Sequence, residues 1–258
     1  MDFRTRRQLA VILVLLAMAA AVFFLLYTKF APAPTCFDSR RNQNEEEADC
    51  GGPCIPCAFR HRQDIQIFWA RFVTSRQDTY DVAAQIRNPN VKLGAPSFEY
   101  IFKLFDTAGI EVVSRRGTSF IYPGETIHLA EVGLRSARVI RSATLSVENI
   151  RWVLTDRIAL DIIAGNREYR IDQEGGERGV VAARISNRTI SDILGITVGA
   201  LVFDSDGNLL GVHRTVLDRI GTGETRPVTF IWPTIFSRPV ASIIIEARSP
   251  LVLPSGAP

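Results

Sequence analysis

The sequence predicts an all-β chain: two β-sandwiches in tandem, placed after a single membrane-spanning helix at the amino terminus. Three observations lead there. The second half repeats the first: Val82-Ala83-Ala84-Gln85-Ile86-Arg87-Asn88 returns as Val181-Ala182-Ala183-Arg184-Ile185-Ser186-Asn187. Leu104–Gly109 returns as Val202–Gly207, and Gly124-Glu125-Thr126 as Gly223-Glu224-Thr225, all at nearly one offset, the length of a small domain. Within each half, apolar residues alternate with polar ones, the period of a half-buried strand. Ahead of both halves, Leu9 to Tyr27 is an unbroken apolar run without charge or proline.

That run has the length a helix needs to cross a bilayer core, roughly 20 residues. Residues 1–8 form a short tail carrying Arg4, Arg6 and Arg7, the span covers residues 9–28, and only Lys29 follows it closely. The charge bias predicts a cytoplasmic amino terminus with everything after the span outside, in a single-pass cell-membrane protein. A cleaved signal peptide is the rival reading. It needs a shorter apolar core, and Pro34 directly after Ala31-Pro32-Ala33 would obstruct cleavage there.

A linker at residues 29–35 leads to a stretch at 36–57 that holds every cysteine of the chain: Cys36, Cys50, Cys54 and Cys57. An even, clustered set outside the membrane predicts two disulfides, because so short a segment has too little apolar surface to fold unaided. Three pairings remain open. Gly51-Gly52 lets the chain reverse between Cys50 and Cys54. Asp38, Asn42, Glu45 and Asp49 offer oxygen ligands for calcium, against the plainer reading of a solvated acidic loop; the ligand spacing of an EF-hand is absent. A zinc site of four thiolates and a redox pair at Cys54-Ile55-Pro56-Cys57 are weaker alternatives in an oxidising compartment. The stretch resembles a small exported cysteine motif of bacterial surface proteins, Cys-x-Asp-Gly followed by Asn, Glu and Asp-Cys-Gly-Gly-x-Cys-x-x-Cys. Cys36, Asp38, Asn42, Glu45, Asp49, Cys50, Gly51, Gly52, Cys54 and Cys57 match it, and Ser39 stands where that motif has glycine. The resemblance implies an extracytoplasmic module and no particular chemistry.

The first sandwich is expected over residues 64–155 and the second over 156–250, with a flexible tail at 251–258. Tyr80, Val82, Ala84 and Ile86 share one face of a strand, and Phe98, Tyr100, Phe102 and Leu104 share one face of the next. Asp106-Thr107-Ala108-Gly109 and Asp204-Ser205-Asp206-Gly207 then read as hairpin turns. Closing strands are expected at Val139–Val147 and Val240–Ala247. Phe102-Lys103-Leu104-Phe105-Asp106 resembles the signature of the FxLYD-type domain, an immunoglobulin-like sandwich of exported prokaryotic proteins. Asn88 and Pro123-Gly124-Glu125-Thr126 match further family positions; the second half keeps Asn187 and Gly223-Glu224-Thr225 but lacks the first aromatic. The resemblance implies fold and exterior location, without catalytic residues.

Phe102, Leu104 and Val202 read as core, Asp106 and Asp204 as turn residues, Glu125 and Glu224 as turn stabilisers or solvent-facing groups. Trp69, Trp152 and Trp232 read as core or junction residues. His61 falls in a linker, His128 is expected to face solvent, and His213 lies in a strand; none sits in a catalytic motif. The chain is 47% hydrophobic with a net charge of +3, much of it beside the span, so the exterior part lacks the basic footprint of nucleic-acid binding. The implied role is interaction or scaffolding in the prokaryotic cell envelope, with an envelope protein as partner and no cofactor. The alternative is binding of calcium or a small ligand by the acidic cysteine stretch.

Overall fold

The structure is a computed structural model that describes residues 3–30, 35–157, 159–173 and 176–250. The expected tail at 251–258, residues 31–34 of the linker and the first two residues lie outside the described residues. Helix α1 (Phe3–Phe30) extends past the expected span at both ends. Its stretch Arg7–Tyr27 has a mean hydropathy of 3.1 with no part buried, so it is long and apolar enough to cross a membrane. A single turn, α2 (Cys57–Arg60), closes the cysteine segment. The chain divides into two compact units, residues 1–60 and 61–258.

The second unit is all-β. Strands β1 (Gln66–Arg76), β2 (Thr79–Arg87) and β5 (Thr126–Arg135) form one antiparallel sheet in the order 1-2-5. It faces a sheet of β3 (Leu93–Asp106), β4 (Glu111–Ile121) and β6 (Ile140–Leu154), ordered 4-3-6. Strands β7 (Ile162–Asp172), β8 (Arg178–Asn187) and β11 (Thr225–Trp232) make a sheet ordered 11-8-7. It faces β9 (Ile193–Phe203), β10 (Leu209–Ile220) and β12 (Ser242–Arg248), ordered 10-9-12. The strand order of the first sandwich therefore recurs in the second.

The alternation predicted from sequence sets the inner faces. Tyr80, Val82, Ala84 and Ile86 of β2 meet Phe98, Tyr100, Phe102 and Leu104 of β3 in one buried cluster, and Trp152 packs against it from β6. Val181, Ala183 and Ile185 of β8 meet Ile196, Val198, Ala200 and Val202 of β9 in another, with Phe230 and Trp232. The closing strand of the first sandwich runs to Leu154, beyond the expected Val147. Asn149 adopts the left-handed backbone region (φ 50°), and register shifts opposite Ser97 let pairing resume at Arg151 and continue to Leu93↔Leu154.

A third cluster joins the sandwiches. Ala83 and Ala130, on the outer face of sheet 1-2-5, pack on Leu201, Phe203, Leu209 and Val212 of sheet 10-9-12. The unit is thus a stack of four sheets with three apolar layers between them. At the seam β2 and β9 are therefore buried on both faces, through Ala83 in the one and Leu201 and Phe203 in the other.

Candidate functional site

The cysteine segment is held by Cys36–Cys54 and Cys50–Cys57, leaving no free thiol. Gly51 and Gly52 both have positive φ, and a Cβ on Gly52 would lie 2.7 Å from the Asn44 carbonyl oxygen, so the reversal there requires glycine. Ser39 takes the left-handed conformation (φ 58°) at the position where the resembling motif has glycine. Its amide donates to Asp49 Oδ1 at 2.9 Å, which holds the turn in place. Glu45 is buried, and its Oε2 accepts the amides of Asn42 and Asp49, both at 3.1 Å. Asn42 donates its side-chain amide to Asp38 Oδ2 at 2.8 Å, and this bond is the first cause lowering the Asp38 carboxyl below its usual range. The four candidate ligands Asp38, Asn42, Glu45 and Asp49 therefore share one loop, where the carboxylate oxygens accept the loop's own N–H groups and Asn42 Oδ1 is buried without a hydrogen-bond partner among the described residues. Glu45 lies beside Cys36 and Cys54, and Glu47 beside Cys50 and Cys57, but these sulfurs are disulfide-bonded and offer no thiolate to a metal.

In the first sandwich one side chain ties two loops together. Asn88 is fully buried; its Nδ2 donates to Leu93 O (2.7 Å) and Tyr122 O (2.9 Å), while its Oδ1 accepts the Asn90 amide at 3.0 Å. Asn187 repeats this, donating to the carbonyls of Ser191, Ile220 and Gly221 and accepting from the amide and hydroxyl of Thr189. Asparagine fits because one small planar group supplies donors and an acceptor together. Asp106 and Asp204 hold their turns as expected: Asp106 Oδ1 accepts from Ala108 N and Ile110 N, and Asp204 Oδ1 from Asp206 N and Asn208 N. The side-chain amide of Asn208 is the first cause bringing the Asp204 carboxyl down to about 2. Glu125 and Glu224 cap their turns through Tyr122 N (2.8 Å) and Gly221 N (2.6 Å).

The seam between the sandwiches carries the polar groups that the sequence did not place. His128, expected to face solvent, has a side chain only 7% exposed, because the second sandwich covers the outer face of β5. Its Nδ1 lies 2.5 Å from Glu246 Oε1 and its backbone amide donates to Oε2 at 2.9 Å. Arg248 reaches back to Glu125 at 3.0 Å and to the Phe120 carbonyl at 2.8 Å. Tyr100 donates its hydroxyl to Glu131 at 2.6 Å, and Arg214 approaches the same carboxylate at 3.4 Å. Burial, then the Glu131 bond, pushes the Tyr100 hydroxyl above its ordinary range. Trp69 packs edge-on against Phe203, and its ring lies beside His128. These groups surround a cavity of about 90 Å³ lined by Tyr100, Phe120, His128, Arg214, Glu246 and Arg248.

Deeper polarity lies at the other end of the seam. Asp81 is buried, accepts the Gly133 amide at 2.8 Å, and is pushed above the usual carboxylate range by desolvation. His213 packs between Phe230 and Trp232 inside the second sandwich, and burial lowers its imidazole. Each of these groups sits in a packed or ion-paired setting. Among the described residues, none of these arrangements joins a nucleophile, a base and an oxyanion pocket.

No protein-family model and no curated protein matches the sequence. Among solved structures the chain is similar to red sea bream transglutaminase, with a TM-score of 0.24 and 10% identity over 75% of this chain; the match spans 30% of the transglutaminase. It is also similar to the calcium-binding domain CBD12 of CALX1.1, with a TM-score of 0.21 and 13% identity, over 70% of this chain and 81% of that one.

Proposed function

We propose that the chain is a non-catalytic interaction or scaffold protein of the prokaryotic cell envelope, anchored by α1 and displaying its β unit outside the cytoplasm. The observation that carries this reading is the set of open sheet edges. Each of the four three-stranded sheets ends in two edge strands that lack a second strand partner among the described residues, and such edges pair readily with extended segments of other chains. The apolar helix with no buried surface supports membrane anchoring, and Arg4, Arg6 and Arg7 ahead of it support a cytoplasmic amino terminus. The two sandwiches are read as copies of one FxLYD-type module, supported by Asn88 and Asn187, Asp106 and Asp204, and Glu125 and Glu224 making matching bonds. The second reading is calcium binding by the acidic cysteine loop, where Asn42 Oδ1 is buried with no hydrogen-bond partner among the described residues.

The test is photocrosslinking in intact cells, with a photoreactive residue placed in turn on each edge strand, followed by protease treatment of spheroplasts. An envelope protein captured at one or more edges, and digestion of the β unit without membrane rupture, is the expected result. Absence of any captured partner from every edge would overturn the interaction reading. Digestion only after rupture would overturn the orientation.

A further inference from the structure

Of the edge strands, β6 offers the longest stretch free of charge, proline and register shifts, from Ser142 through Val147. Natural sheets blunt their edges with charge, proline, bulges or short length. Here β11 carries Pro227, β12 is only 7 residues long, and β4 carries Arg115 and Arg116. The registers of β1, β5, β7 and β10 are each broken by a shift, and that of β6 is broken at its two ends, opposite Asp106 and opposite Gly94–Glu99. By contrast Ser142–Glu148 of β6 pairs with Phe105–Glu99 of β3 in unbroken register, and from Ser142 through Val147 it carries no charge and no proline. Alternate N–H and C=O groups of such a strand point away from its one partner.

The same edge borders a groove. An opening of about 370 Å³ separates β6 from β1, the edge strand of the facing sheet. Ala70, Phe72 and Ala143 give it apolar walls, and Asn208 and Leu209 of the second sandwich contribute to its lining. Its only charged lining residues are Arg71 and Arg141. Arg71 is already engaged, stacking over Trp69 and donating to the Gly207 carbonyl. Arg141 is exposed, and no acidic side chain faces it among the described residues.

We propose that this groove receives an extended acidic peptide segment of a partner protein, which adds to the sheet as a strand beside β6 and places a carboxylate against Arg141. The proposal deepens the interaction reading and rests on it for the existence of a partner. Main-chain bonds to β6 would supply affinity, and the alternation of the incoming strand would supply selectivity: apolar side chains toward Ala70, Phe72 and Ala143, a carboxylate toward Arg141. A second copy of this chain would bring the same arginines to the groove, so charge favours a different, acidic partner.

The test uses the full chain in lipid nanodiscs and two short synthetic peptides, one alternating valine with aspartate and one alternating valine with lysine. Binding is followed by fluorescence anisotropy, and amide hydrogen exchange locates it. The aspartate peptide is expected to bind and to slow exchange across Ser142–Val147. Arg141→Glu should weaken it by about two- to fivefold, the range of an exposed ion pair, and should turn preference toward the lysine peptide. Equal binding of both peptides, binding that leaves β6 exchange unchanged, or indifference to Arg141→Glu would overturn the proposal. A dimer of the chain that forms without peptide and protects β6 would overturn it in favour of a second copy. If no peptide binds while crosslinking captures a partner at another edge, the groove proposal fails and the interaction reading stands.

Discussion

Replacing Asn88 by Asp changes one atom's chemistry and almost no volume, so it isolates the hydrogen-bonding role of the buried asparagine. The Oδ1 acceptor for the Asn90 amide is kept, but the donor facing Leu93 O and Tyr122 O becomes an oxygen. Two buried carbonyls then lose their donor, each worth about 1–3 kcal/mol, and an ionised carboxylate at a fully buried site would add desolvation. The expected loss is about 3–5 kcal/mol near neutral pH, a large part of the ~5–15 kcal/mol that stabilises a typical domain. The introduced carboxyl is buried against carbonyl oxygens, so its folded-state pKa rises above the unfolded value near 3.9. The penalty therefore grows as pH rises and shrinks below the unfolded value, where the protonated group again donates one bond. Urea unfolding of the full chain, followed by hydrogen exchange in β2, β3 and β5, measures both the loss and its pH trend. A loss under about 1 kcal/mol, or one that does not lessen in acid, would refute the idea that Asn88 ties these loops together.

Leu201→Ala should cost about 2–4 kcal/mol, since Leu201 is 1% exposed between the sandwiches. It should also split one calorimetric transition into two; an unchanged single transition would show that the seam is not what couples them. Asp81→Asn keeps the acceptor for Gly133 N and removes a buried charge, so the variant should match or exceed the parent at pH 7. Because the Asp81 pKa is raised, the parent loses stability as pH rises through the folded value, and the variant should not; a destabilised variant at pH 7 would contradict this. Asp204 is the opposite case: with its carboxyl brought down to about 2, its stabilising contribution is present above the unfolded value and fades as pH falls toward 2. Asp204→Ala should flatten that acid limb, read as hydrogen exchange in the β9–β10 turn.

The inner faces were legible because strand chemistry is local. Tyr80, Val82, Ala84 and Ile86 announce their register by period alone, and Asp106 and Asp204 announce their turns by composition. The disulfide pairing was not legible, since Cys36–Cys54 and Cys50–Cys57 depend on how the Gly51-Gly52 reversal brings the sulfurs together. Nor was the clamp role of Asn88. An asparagine after a strand reads as a turn residue, and only the fold brings the carbonyls of Leu93 and Tyr122 to it.

The seam between sandwiches left a trace that alternation conceals. An outer face meant for water would carry polar residues between the inward ones, as Lys103 does between Phe102 and Leu104. In β2 the intervening position is Ala83, and in β9 the run Ala200-Leu201-Val202-Phe203 has no polar residue at all. An uninterrupted apolar run is the mark of a strand covered on both faces. The absence of the first aromatic in the second half belongs to the same account. Ala200 lies inward where the first half has Phe102, while Leu201 and Phe203 spend the bulk on the outer face, against Ala83 and Ala130. Small residues on one sheet and large ones on the other allow close approach, so the second half departs from the first where it has to bind it. His128 follows from that arrangement: beside Ala130 on the same covered face, it needs an acceptor, and β12 supplies Glu246.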